Sequence, residues 1–148
     1  MPNSAALQVL VIEDDLSDLA LIEGAFESCE QPSQLHHVAD GVEAMEYLHG
    51  KGAHEDAARP DLMLLDLNMP RMDGREVLAR VKSDELLRTI PIVVFTTSAE
   101  DRDVTGAYQA HANAYVTKPI DLVAFESSIA EIRSFFGDTI SRSDLTLL

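Results

Sequence analysis

The chain has one cysteine, Cys29, which excludes an internal disulfide framework and a zinc site built on thiolates. Basic residues are scarce. Lys and Arg number 11 against 26 Asp and Glu, for a formal net charge of -15. A phosphate backbone or an anionic membrane surface repels such a chain, so no nucleic-acid and no membrane partner is expected. No apolar run approaches the length of a membrane span. Met1-Pro2-Asn3-Ser4 lacks the basic-then-apolar pattern of a signal peptide. With the lone thiol, this points to a cytoplasmic location. No glycine-rich phosphate loop is present, so nucleotide binding has no support. Internal repeats and heptads are absent. His36, His37, His49, His54 and His111 show no ligand spacing, and His36-His37 reads as strand with one ring on each face. What is present is 148 residues with 46% hydrophobic content, enough for one core in one domain.

The core is spelled out in short apolar runs. Leu7-Gln8-Val9-Leu10-Val11-Ile12, Leu62-Met63-Leu64-Leu65 and Ile92-Val93-Val94-Phe95 read as strands buried on both faces. Gln34-Leu35-His36-His37-Val38-Ala39 and Ala112-Asn113-Ala114-Tyr115-Val116-Thr117 are weaker strands. Between them the period becomes helical. Leu19, Ile22 and Phe26 mark a first helix, and Val42, Met45 and Leu48 a second, ended by Gly50 and Gly52. Val77, Leu78 and Val81 mark a third helix. The segment 99–110 is a fourth, with a thin apolar face. Leu122, Phe125, Ile129, Ile132 and Phe136 mark a fifth, which Gly137 is expected to end. Residues 51–59 form a polar loop. This alternation predicts an α/β fold: a doubly wound (βα)5 parallel sheet of five strands, in the flavodoxin-like order 2-1-3-4-5.

That order makes the ends of the first and third strands neighbours, so Glu13 and Asp14 come beside Asp66. One or two carboxylates in Glu13-Asp14-Asp15 suit a helix N-terminus, with Asp15 or Ser17 as cap. The crowding of three is better explained by a cation. Oxygen ligands at an open rim suit Mg²⁺. Thr96 and Lys118 end the neighbouring strands and suit an anionic group bound to that metal. These are the parts needed to place a phosphoryl group on Asp66, with Asp66 as nucleophile.

Four blocks resemble the signatures of response-regulator receiver domains. They are Val11-Ile12-Glu13-Asp14-Asp15, the segment from Leu64-Leu65-Asp66 to Met72-Asp73-Gly74, Pro91-Ile92-Val93-Val94-Phe95-Thr96, and Tyr115-Val116-Thr117-Lys118-Pro119. The resemblance implies that Asp66 is the phosphoacceptor, taking its phosphoryl group from a sensor histidine kinase. It implies that Glu13, Asp14, Asp66 and the backbone carbonyl of Asn68 organise Mg²⁺. It further implies that Lys118 and Thr96 contact the phosphoryl group, that Thr96 and Tyr115 form the switch pair, and that Asn68 and Ser98 tune dephosphorylation. The Lys118-Pro119 peptide bond is expected to be cis. The readout surface is the fourth helix, fifth strand and fifth helix.

The receiver domain is expected to span 7–136, with a lead at 1–6 and a tail at 137–148. No output domain is expected in that tail, so output is expected to pass to another protein or to a histidine phosphotransfer protein. The pattern is that of stand-alone, chemotaxis-like receivers. Thr96-Thr97-Ser98 and the longer 51–59 loop are similar to the receivers paired with bacterial phytochrome kinases. Ile140, Leu145, Leu147 and Leu148 suggest an arm across a homodimer. The alternative is a phosphatase of the haloacid dehalogenase type. That family carries its nucleophile as Asp-x-Asp on the first strand, where this chain has Glu13-Asp14-Asp15. An inert module of the same fold would be expected to lack an acidic residue, Asp66 or Lys118.

Overall fold

The computed structural model describes residues 6–146, with side chains through residue 137. Five strands, β1 (Leu7–Ile12), β2 (Ser33–Val38), β3 (Leu62–Leu65), β4 (Ile92–Thr96) and β5 (Ala114–Thr117), alternate with helices α1 (Leu16–Glu27), α2 (Gly41–Leu48), α3 (Gly74–Ser83), α4 (Asp101–Gln109) and α5 (Leu122–Thr146). The sheet is parallel in the order β2-β1-β3-β4-β5, as expected. β3 and β4 are buried at every position because helices cover both sheet faces. Leu10 and Ile12 face Tyr47, Val77, Leu78 and Val81 from α2 and α3. Val9 and Val11 face Leu19, Ile22, Phe26, Phe125 and Ile129 from α1 and α5. Each such side chain is worth about 1.5–3 kcal/mol when fully buried.

Asp15, Asp40 and Asp73 are the N-caps of α1, α2 and α3, each accepting backbone N–H bonds of the first turn. Only Ala107 of α4 is buried, so the thin apolar face is real. Of the expected Val42-Met45-Leu48 stripe of α2, Met45 and Leu48 pack half-buried against the core, and the most buried residues lie beside them. Gly41, Ala44 and Tyr47 are buried there. Gly41 N–H donates to Met72 O at 3.0 Å, and the Tyr47 hydroxyl donates to Ala58 O at 3.0 Å. These two bonds tie that side of α2 to the Met72 and Ala58 carbonyls.

Two expectations for α5 are corrected. Leu122 is exposed, and the buried stripe starts at Phe125, which meets Phe95 edge-on at a centroid distance of 5.2 Å. Gly137 does not end the helix, which runs on to Thr146. A glycine stops a helix by taking positive φ, as Gly50 does at 63° after α2, but Gly137 keeps negative φ. Its missing Cβ leaves room for the buried Arg133 guanidinium, which donates to Ser33 Oγ (2.7 Å) and Pro32 O (3.0 Å). The proposed arm residues Ile140, Leu145, Leu147 and Leu148, and residues 1–5 of the lead, lie outside the described side chains and residues.

Candidate phosphoacceptor site

Strand register brings the acids together. Ile12 pairs with Leu65, and Asp66 N–H donates to Ile12 O at 3.1 Å. Glu13 and Asp66 therefore leave adjacent strands at the same level. Thr96 is the last residue of β4 and is fully buried; its hydroxyl donates to Asp66 Oδ1 at 2.8 Å. Lys118 N–H donates to Thr96 O at 2.7 Å, which fixes the start of the lysine side chain at the same rim. Its ammonium reaches Glu13 Oε1 at 2.5 Å, Asp18 Oδ2 at 2.7 Å and Asp66 Oδ2 at 3.3 Å.

Burial pushes the Glu13 carboxyl up to about 7, with the Lys118 hydrogen bond pulling it down and Asp66 adding to the rise. Burial also works against the charge on Lys118, yet hydrogen bonds to Asp18 and Glu13 outweigh it and hold the ammonium above its ordinary range. The ammonium thus stays charged beside an excess of carboxylates. Ligand oxygens of Glu13, Asp14 and Asp66 lie within 4.8 Å of one another, and Asp14 is exposed. An all-oxygen set with one open side suits a hard divalent cation that keeps part of its water. The residues present fit a metal.

The loop after Asp66 is held from several sides. Asn68 N–H donates to Asp66 Oδ1 at 3.2 Å. Arg71 stands at φ 66°, a left-handed conformation costing a non-glycine residue roughly 1–2 kcal/mol. Its guanidinium grips Asp40 through Nε–Oδ2 (2.9 Å) and Nη2–Oδ1 (3.1 Å). Burial pushes the Asp40 carboxyl up, but Arg71 and the Glu43 N–H prevail and leave it below its usual 3.8. A group with a depressed folded value stabilises fully above its unfolded value and loses that contribution as pH falls through the folded one. Asp40→Ala is therefore expected to cost about 0.5–2 kcal/mol near pH 7, the loss of a cap, and less near pH 3. Urea denaturation at both pH values checks this; an equal cost at both contradicts it.

On the other side of Asp66, Arg75 donates to Asp103 Oδ1 through Nη2 (2.9 Å) and Nε (3.2 Å), and stands 3.5 Å from Asn68 Oδ1. Ser98 Oγ donates to Asp103 Oδ2 at 2.6 Å. The Tyr115 hydroxyl donates to Ser98 O at 2.7 Å. Tyr115 is thus turned toward the β4–α4 loop and half-buried rather than lying free on the edge strand.

The structure gathers Glu13, Asp14, Asp66, Thr96 and Lys118 at one point, with Asn68, Ser98 and Tyr115 around it. The family model for the response regulator receiver domain matches residues 9–130. The chain belongs to this family. This receiver is similar to response regulator Rcp1 of Synechocystis sp., at 38% identity over 133 residues, covering 90% of each chain. Its structure resembles that of the phosphorylated cyanobacterial phytochrome response regulator RcpA, with TM-score 0.87 and 41% identity over 91% of this chain and 96% of that one. It also resembles the Mn²⁺-bound form of Rcp1, with TM-score 0.83 and 38% identity over 88% of this chain and 94% of that one. As a receiver it is a two-component response regulator, a signalling protein rather than a turnover enzyme, served by histidine kinases. No helix among the described residues is long and apolar enough to cross a membrane.

One sequence expectation for this receiver is corrected. No peptide bond among the described residues is cis, so Lys118-Pro119 is trans. Trans is the isomer an X–Pro bond favours by roughly 0.5–1 kcal/mol, and Lys118 Nζ reaches its carboxylates from it. Asp18, Arg75 and Asp103 escaped the sequence reading. Asp18 lies in the first turn of α1, directly after the acids that end β1, and its carboxylate reaches the Lys118 ammonium. Arg75 and Asp103 had no readable signal, because their meeting depends on how α3 and α4 sit across the sheet.

Proposed function

We propose that Asp66 is the phosphoacceptor. The observation that carries this is the placement of its carboxylate, with Oδ1 taking the Thr96 hydroxyl and Oδ2 facing the Lys118 ammonium. An Asp66 oxygen attacks the phosphorus of a kinase phosphohistidine. The P–N bond breaks, and the imidazole leaves with the electron pair and takes a proton from solvent. Lys118 and Thr96 hold the equatorial oxygens as charge redistributes. Glu13, Asp14, Asp66 and the Asn68 backbone carbonyl hold Mg²⁺, which supplies charge neutralisation when bound. The aspartyl phosphate adds negative charge and acceptor oxygens. Thr96 and Tyr115 follow it as the switch pair, and Asn68 and Ser98 tune its loss. The signal leaves through α4, β5 and α5, where Tyr108 of α4 and Val123 of α5 are exposed, as is Ile120 in the connection between β5 and α5.

The receiver unit spans 7–136. Relatives described as phytochrome response regulators, together with Thr96-Thr97-Ser98 and the 51–59 loop, support a cytoplasmic role downstream of a bacteriophytochrome kinase. The tail at 137–148 joins a homodimer, which sedimentation of a chain ending at Gly137 tests: an unchanged dimer contradicts the arm. The central test offers the chain, with Mg²⁺, to a phosphorylated phytochrome kinase and to unrelated phosphorylated kinases, with peptide mapping of the product. The expected result is modification of Asp66, fastest from the phytochrome kinase, and none in Asp66→Asn. Modification elsewhere overturns the acceptor. Equal rates from all kinases overturn the upstream partner.

A further inference from the structure

Asp103 stands on the first turn of α4, away from the metal-binding acids, yet its two carboxylate oxygens are divided between the two sides of the acceptor. Oδ2 takes the Ser98 hydroxyl at 2.6 Å. Ser98 lies two residues past Thr96, whose hydroxyl is on Asp66. Oδ1 takes the Arg75 fork at 2.9 and 3.2 Å, and the third nitrogen of that fork faces Asn68 Oδ1 at 3.5 Å. Asn68 in turn has its N–H on Asp66 Oδ1. The Asp103 side chain is only 9% exposed although it belongs to a surface helix. It is held below the usual carboxylate range by the Ser98 hydroxyl and by Arg75. One carboxylate therefore links the loop after β4 to α3 and the loop after Asp66, with two Arg75 N–H bonds converging on Oδ1 and the Ser98 hydroxyl on Oδ2, so both of its oxygens are held.

We propose that Asp103 is a positioning residue that, through Ser98 and Arg75, restricts the approach of water to the phosphorylated acceptor. This rests on Asp66 being that acceptor. Loss of the phosphoryl group needs water in line with the bond to Asp66. The water oxygen bonds to phosphorus, the bond between phosphorus and the Asp66 oxygen breaks, and the carboxylate leaves with the electron pair. Both protons of the water end on inorganic phosphate. With Asp103 in place, the single Ser98 hydroxyl proton is committed to Asp103 and is not free to donate to a water at the phosphoryl group. The Asn68 side chain is backed by a guanidinium that narrows the opening. Releasing the carboxylate frees both sides at once.

The test is the decay of Asp66 phosphate after loading with acetyl phosphate and Mg²⁺, followed by intact mass. The expected result is decay roughly three- to tenfold faster in Asp103→Asn and in Arg75→Gln, with the double variant no faster than the quicker single one. Arg75 is 44% exposed at its side chain, so its replacement leaves the fold standing. A merely structural role lowers the melting temperature but leaves the decay constant of phosphorylated molecules unchanged. Decay at the unaltered rate or slower in Asp103→Asn, or effects that multiply in the double variant, overturns the proposal. If the unaltered chain takes no phosphate on Asp66, the acceptor assignment itself fails and takes this inference with it. A loaded chain with indifferent variants removes only the role of Asp103.

Discussion

Lys118→Met is expected to slow phosphoryl uptake by about 10²–10³-fold, the usual cost of removing one preorganised donor from a developing oxyanion. Methionine keeps the stem and deletes the charge. The same substitution is expected to lower stability in metal-free buffer by about 3–5 kcal/mol, because Glu13 and Asp66 lose a buried partner. Two features of the site set the pattern of that loss. Glu13 sits at about 7 even with the lysine present. Without Lys118 it accepts a proton more readily, so the deficit shrinks as pH falls below neutral and grows as pH rises. Mg²⁺ competes with the ammonium for the same carboxylates. The variant is therefore expected to bind Mg²⁺ more tightly and to regain part of its stability when the metal is added. Urea denaturation with and without Mg²⁺, alongside uptake from acetyl phosphate, measures both effects. Uptake at the unaltered rate would remove Lys118 from the phosphoryl group, whatever its role in stability.

The residues of this site were readable from sequence because each ends a strand. A run such as Leu62-Met63-Leu64-Leu65 tolerates no polar residue while both faces are covered, so the first carboxylate after it marks the rim. Parallel order then places Glu13 beside Asp66 without any side-chain information. The same reasoning fails where helices meet helices. The most buried residues of α2 include Gly41, which bonds to the Met72 carbonyl, a contact between segments far apart in sequence. Gly137 has the composition of a helix stop but not its backbone, since the deciding quantity is φ. Asp18 belongs to the charge network of Lys118 although it reads as an ordinary acidic residue in a first helical turn. Asp103 reads the same way, and only the docking of α4 reveals that it faces Arg75 and Ser98.

Gly74→Ala is expected to damage the site more than a one-carbon change in a helix suggests. Alanine is ordinarily the better helix former, by about 1 kcal/mol. At this position the added Cβ would overlap the Asp66 carbonyl and the Leu67 Cα, both backbone atoms with no flexible end to swing aside. Gly74 N–H also donates to Leu67 O at 2.9 Å, which pulls the first turn of α3 onto the strand end and closes the space. The chain must answer by moving either α3 or the segment carrying Asp66. α3 is locked by Val77, Leu78 and Val81, all fully buried or nearly so. The segment carrying Asp66 is therefore the part that yields. Overpacking of this kind costs about 1–3 kcal/mol. A displacement of the nucleophile by about 1 Å costs as much as 10²-fold in rate. The expected result is a folded protein of reduced stability whose phosphoryl uptake falls by more than tenfold, beyond what its folded fraction explains. Uptake from acetyl phosphate, normalised to the folded fraction from urea titration, separates the two effects. Uptake that merely tracks the folded fraction would show that Gly74 serves packing alone. A surplus loss places the glycine in the geometry of Asp66, as the absence of a side chain that lets its carboxylate stand where Thr96 and Lys118 meet it.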